Sequence, residues 1–172
     1  QPRIGLTFGS VLKTVLRQDP DVVMVGEIRD AETAQNAVQA ALTGHQVLST
    51  IHTGEAAGAV SRLLDLDVLP FLLSGTLVGV VAQRLVRRIC PHCAEDDLLT
   101  EEQALALRIP GTRGRRLKIK KPAGCVKCRY TGYLGRTGLF EVMPVTPRIQ
   151  RLINERASTQ EIKREALNDG ML

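Results

Sequence analysis

The sequence contains no tryptophan, and aromatic residues make up only 3% of its 172 positions. Single-stranded nucleic acid is gripped by stacking bases on aromatic faces, so this scarcity argues against that class of partner. Long apolar runs are also missing. The longest, from Val68 to Ala82, covers about fifteen residues, short of the ~20 that span a bilayer, and is interrupted by Pro70, Ser74, Gly75, Thr76 and Gly79. It reads as a buried helix. No secretory leader pattern opens the chain, which starts at Gln1 as a piece of a longer protein would. No GxxxxGK[ST] stretch follows any strand, and Gly132–Gly138 has comparable glycines without the Lys-Ser/Thr end. The sequence therefore holds no ordinary loop for cradling the α- and β-phosphates of a nucleotide.

What is present is globular in composition, with 44% apolar and 24% charged residues. The net charge of +5 is uneven: residues 1–89 are balanced, and residues 90–172 carry the whole excess. A basic second half can face an acidic protein, an anionic lipid surface or nucleic acid, and the lack of aromatics favours the first two.

Periodicity gives the organisation. Residues 9–18 carry Val11, Leu12, Val15 and Leu16 at helical spacing. Val22–Val25 is an all-apolar run, the pattern of a strand buried on both faces. Asp30 is placed as an N-cap, Ala34, Val38, Ala41 and Leu42 as a helical stripe, and Gly44 as a terminator. Residues 46–51 read as a second buried strand, so the region is a βαβ unit of a mainly parallel sheet. Helices are expected over 55–66 and from Pro70 to about Arg87. Thr100–Leu107 has a helical pattern, 109–124 is basic and loop-like, and 129–143 suggests turns and short strands. Two helices close the chain, over 147–156 and after Ser158, which forms a capping box with Glu161; Gly170 ends the second.

Four cysteines stand as two CxxC knuckles, Cys90/Cys93 and Cys125/Cys128, with 31 residues between Cys93 and Cys125. Two such knuckles can supply a tetrahedral sulfur shell for Zn²⁺, a closed structural site with no open position. An iron–sulfur centre or a redox pair is the alternative. A second constellation comes from the βαβ unit. Ligands gather beyond the carboxyl ends of parallel strands, and Glu27 and His52 follow the two strands, with Arg29 on the same rim. A carboxylate there can deprotonate water for attack on a γ-phosphate, or it can simply pair with Arg29 in a turn. His45, at the other end of the second strand, could also donate to a phosphate oxygen, and Arg17 and Arg29 are phosphate or intersubunit contacts, or members of surface salt bridges.

These residues carry a family resemblance. LRQDPDVVMVGEIRDAETA resembles the Walker B region of the bacterial type II secretion and type IV pilus assembly ATPases. ALTGHQVLSTIHT resembles their His box, and AQRLVRRICPHC with GCVKCRYTGYLGRTGLFEVM resembles their zinc module. The resemblance implies an α/β fold: the C-terminal part of a RecA-like P-loop ATPase core over 1–89, a four-cysteine zinc module over 90–131 and a helical C-terminal domain over 132–172. It implies Glu27 as catalytic acid, His45 and His52 as the two histidines of the His box, and ATP and Mg²⁺ as ligands of the full-length protein; Arg29, beside Glu27, and Arg17 stay open as contacts of a phosphate or a neighbouring subunit. It further implies a cytoplasmic homo-hexamer at inner-membrane platform proteins, driving assembly of pilin or pseudopilin, with the phosphate-holding loop preceding Gln1 and this piece inactive alone. The other functional class is a zinc-stabilised docking module that contacts a platform protein through the basic 113–121 segment.

Overall fold

A computed structural model describes Val11, residues 14–18, residues 20–107, Ile109 and residues 116–171. Of the helix expected over 9–18, Val11 and residues 14–16 are helical and residues 17 and 18 form a turn, while positions 9, 10, 12 and 13 lie outside the described residues. Two compact units are present, one made of residues 1–83 with 140–172, the other of residues 84–139.

The first unit is built on the βαβ motif. Strand β1 (Val22–Val25) pairs in parallel with β2 (Gln46–Ser49), Val22 opposite Gln46 and Val25 opposite Ser49. Helix α1 (Ala31–Leu42) joins them. Asp30 caps it, accepting the Thr33 N–H at 2.8 Å, so its carboxyl titrates below the usual range. Gly44 and Gly170, each at φ +96°, follow the first and last helices where the apolar patterns end.

Three local expectations are corrected here. β1 is buried on one face only: Val23 and Val25 are covered, while Val22 and Met24 are exposed. Its sheet has two strands among the described residues, and nothing described covers the second face. β2 is shorter than expected and mostly exposed. The buried face of α1 is Thr33, Ala34, Ala37 and Ala40, one step round from the expected stripe, and Leu42 faces solvent. Small residues lie on the inward side because alanines let the helix approach closely.

Helix α2 (Ala56–Asp65) and the short α3 (Pro70–Thr76), with Pro70 in its first turn, follow. The expected single helix from Pro70 to about Arg87 is wrong. After Leu77 the chain becomes strand β3 (Gly79–Ile89), eleven residues long. Gly75 and Gly79 weaken a helix, and Val78, Val80 and Val81 are stiff at χ1 and suit an extended chain. Alternation then appears, with Val80 and Ala82 half-buried and Val81 exposed.

β3 pairs with β6 (Tyr133–Pro144), a single twelve-residue strand where turns and short strands were expected. Backbone bonds from Val145 N–H to Val78 O and from Cys90 N–H to Gly132 O run in opposite senses along the pair, which is therefore antiparallel. Helices α5 (Pro147–Asn154) and α6 (Thr159–Asn168) close the chain. Ser158 and Glu161 form the expected capping box, which holds the Glu161 carboxyl below its usual range. Ile149, Ile153, Ile162 and Ala166 from these helices are buried in one core with Ala56, Val60, Leu63 and Leu73. The C-terminal helices thus share a core with α2 and α3.

In the second unit, β4 (Ala94–Leu99) pairs antiparallel with β5 (Leu117–Pro122), and α4 (Glu101–Ala106) begins at a Thr100–Gln103 capping box. The basic stretch read as loop-like is a strand from Leu117. It is held opposite an acidic one: Lys120 Nζ lies 2.6 Å from Asp96 Oδ1, and Lys121 Nζ 3.7 Å from Glu95 Oε2. Among the described residues of this unit, the buried hydrophobic ones are Cys90, Ala104 and Cys128.

Candidate active site and metal centre

The ends of β1 and β2 bring together three of the expected site residues. Glu27 follows β1 by two positions, and its side chain is 20% exposed. Arg29, 76% exposed, forks onto Oε2 through Nε and Nη2, both at 2.6 Å. His52, 88% exposed, places Nε2 2.7 Å from Oε1, an ion pair when the ring is protonated. That approach lacks the alignment of a hydrogen bond, and Oε1 is a buried oxygen with no aligned donor. A buried carboxylate oxygen in this condition is costly unless a water, a ligand or a proton meets it. The arrangement can orient and deprotonate a water molecule.

Local structure explains why the rim is formed here. The Thr50 hydroxyl donates to Gly26 O at 2.7 Å, and Ile28 N–H donates to Thr50 O at 2.9 Å. These two bonds tie the segment after β2 to the segment after β1. Thr50 was not among the expected site residues; its signal was a hydroxyl at the end of an apolar run, two positions before a histidine. Beside the rim lies an open cleft of about 540 Å³ lined by Ile28, Val47, Thr50–Thr53, Leu73 and Gly79–Gln83 among others.

The two remaining expected contacts are placed elsewhere. His45 stands at the opposite end of β2, where its Nδ1 lies 3.0 Å from both Ala40 O and Thr43 Oγ1, against the end of α1. Arg17 is exposed, and its backbone N–H closes a turn on Thr14 O.

In the second unit the four cysteines converge. All four Sγ atoms lie within 4.8 Å of one another. The Cys90–Cys125 separation is 4.0 Å, and Cys93–Cys128 and Cys125–Cys128 are both 3.8 Å. A tetrahedron with Zn–S bonds of ~2.3 Å has edges of about 3.8 Å, so the donor set fits Zn²⁺ in spacing as well as chemistry. Backbone N–H groups point at the sulfurs: Gly124 to Cys93 at 3.3 Å, Cys125 to Cys128 at 3.2 Å and Gly132 to Cys128 at 3.3 Å. Burial works against a Cys128 thiolate, but the Cys125 and Gly132 N–H bonds and the neighbouring thiols outweigh it, and its pKa falls to about 6. Burial pushes Cys93 up to about 11, opposed by the Gly124 bond and reinforced by the other three thiols. Four thiols this close cannot all ionise without a cation among them.

Two glycines shape the second knuckle. Gly124 has φ +101°, and a Cβ there would meet Tyr130 O at 2.9 Å. Gly132 has φ +75°, and a Cβ there would lie 2.4 Å from Pro122 Cβ. Any side chain at either position would displace the backbone that aims N–H groups at sulfur.

The sequence matches the family described as "Type II/IV secretion system protein" over residues 1–171. It is 50% identical over 164 residues to a "Type II secretion system protein E" of Dickeya dadantii (strain 3937), covering 95% of this chain and 32% of that protein. It is 46% identical over 169 residues to a "Type IV pilus assembly ATPase PilB" of Myxococcus xanthus (strain DK1622), covering 98% and 30%. The chain spans about a third, 30–33%, of the length of the curated relatives it matches. The fold is similar to that of the pilus retraction motor PilT with bound ADP, with a TM-score of 0.57 at 25% identity, covering 96% of this chain and 41% of that one. The Legionella pneumophila ATPase DotB is similar in fold alone, with a TM-score of 0.57 at 21% identity, covering 96% and 35%. On the match along 171 positions, the chain belongs to the type II/IV secretion system protein family.

Proposed function

We propose that this chain is part of a motor ATPase that hydrolyses ATP to power assembly of pilin or pseudopilin subunits. In this reading Glu27 is the general base. The observation that carries it is the convergence of Arg29 and His52 on the two oxygens of a Glu27 carboxylate at the end of a parallel strand, with the buried Oε1 2.7 Å from His52 Nε2. Oε1 accepts a proton from the attacking water, Arg29 keeps the carboxylate in place, and His52 stands ready to donate to a phosphate oxygen. Mg²⁺ bound with ATP would offset the charge that develops on the phosphates. One carboxylate does not make a protein cage for that ion, so the nucleotide and water would supply most of its ligands. Arg17 is assigned to a phosphate or a neighbouring subunit, while His45, with Nδ1 against Ala40 O at the opposite end of β2, is given no role at this rim.

The four cysteines hold a structural Zn²⁺. The working protein is a cytoplasmic hexamer at inner-membrane platform proteins. Among the described residues no helix is long and apolar enough to cross a membrane. The 172 residues alone, without a GxxxxGK[ST] stretch, bind ATP weakly and turn it over hardly at all. The second reading is a docking role through the basic 113–121 segment, in which Lys120 and Lys121 are paired with Asp96 and Glu95 and residues 113–115 lie outside the described residues.

The test is Glu27→Gln in the full-length protein. Phosphate release should fall by roughly 10²-fold or more while ATP binding is retained. Surviving turnover would remove Glu27 from the catalytic role.

A further inference from the structure

We infer that Glu141 is a positioning residue for His52 and acts through the N-terminus of α2. The inference rests on the reading of Glu27 and His52 as the hydrolytic pair. His52 lies in an irregular segment between β2 and α2, and its ring is exposed, so packing around the imidazole does not hold it. Its approach to Glu27 Oε1 and the backbone on either side do so. On the upstream side Thr50 is bonded to Gly26 and Ile28. On the downstream side the Ala56 N–H donates to Glu141 Oε2 at 2.7 Å.

Ala56 is fully buried and is the first residue of α2, where the helix leaves its N–H groups without internal acceptors. The residue before it, Glu55, makes no side-chain cap. Glu141 fills that role from 85 residues away in the sequence, on β6 between Phe140 and Val142. A carboxylate at a helix N-terminus also meets the positive end of the helix dipole, and a charge-assisted bond is shorter and stronger than a neutral one. A half-buried acid in the otherwise apolar run Leu139–Met143 has this bond as its reason. Other ties hold the same helix in the fold: Lys163 pairs with Glu55, and Ser61 Oγ lies 2.6 Å from Thr159 Oγ1. These remain when Glu141 is changed, so its loss frees the His52 segment and leaves the core in place.

The experiment compares Glu141→Ala and Glu141→Gln in the full-length protein. Glutamine keeps an acceptor oxygen and alanine does not. Glu141→Ala should lower kcat on the order of 10- to 100-fold with little change in KM for ATP, the cost of a displaced catalytic group. Glu141→Gln should recover most of that loss. Hydrogen exchange over residues 50–58 should speed up in Glu141→Ala, return towards normal in Glu141→Gln and stay unchanged in α1. Wild-type kcat in Glu141→Ala would overturn the inference, as would equal losses in both variants accompanied by a fall in Tm. The exchange measurement stands without turnover. If Glu27→Gln left hydrolysis intact, the hydrolytic reading would fail, while unchanged exchange at 50–58 in Glu141→Ala would overturn the anchoring by itself.

Discussion

Removing the metal should unfold residues 90–132 and leave the first unit folded. The second unit has almost no apolar interior: among its described residues only Ala104 and two of the cysteines are buried hydrophobics. Its order comes from its share of the β3–β6 pair, from the β4–β5 ladder, whose charged pairs are exposed and individually weak, and from the convergence of Cys90, Cys93, Cys125 and Cys128. A structural Zn²⁺ held by such a set contributes about 10 kcal/mol or more to folding near neutral pH. At about 1.4 kcal/mol per power of ten, that is roughly seven orders of magnitude in the opening equilibrium. The reporters are the amides of Gly124, Cys125 and Gly132, which donate to sulfur. In reducing buffer with a strong chelator, these amides should go from protected to exchanging at nearly free-chain rates. Amides of α2 and α5 should keep their protection, and about one equivalent of zinc should appear in a colorimetric assay. Persistent protection at Gly132 after the zinc has gone would refute the argument that the metal organises this unit.

Three further outcomes follow from particular residues. Ile149→Ala should cost about 2–5 kcal/mol in urea unfolding, because Ile149 is fully buried. Exchange in α2 should rise along with that in α5; an unaffected α2 would mean that the C-terminal helices have a core of their own. The Asp30 carboxyl, lowered by the Thr33 N–H bond, contributes stability that is complete above its unfolded value near 3.8 and is lost as pH falls through the lower folded value. Protection in the first turn of α1 should therefore drop only in that acid window, and Asp30→Asn should keep a cap but lose the pH dependence; a dependence that persists in the variant belongs to another group. Gly132→Ala should weaken zinc retention against a chelator, since its Cβ would meet Pro122 at 2.4 Å; retention equal to that of the wild type would show that the knuckle tolerates the displacement.

The sequence was most legible where structure is local. The Asp30 cap, the Ser158–Glu161 box, the βαβ unit and the two CxxC knuckles follow from spacing alone, and each is found in place. It was least legible where pairing is distant. Val78–Ala82 continues an apolar run and reads as helix until β6, more than fifty residues later, gives it a partner. Glu95–Asp97 and Lys118–Lys121 look like separate acidic and basic stretches, and only their register makes them one ladder. The site divides in the same way. Glu27, Arg29 and His52 could be put on one rim from strand ends, but Thr50 and Glu141 act through backbone bonds that no periodicity encodes.

The central claim is that Glu27 deprotonates the attacking water, and single-turnover hydrolysis by the full-length protein tests it most directly. With ATP bound before Mg²⁺ is added, the chemical step should be slower in Glu27→Gln by a factor on the order of 10² to 10⁴, with the ATP dissociation constant unchanged. A hydrolysis step as fast as in the wild type would contradict it.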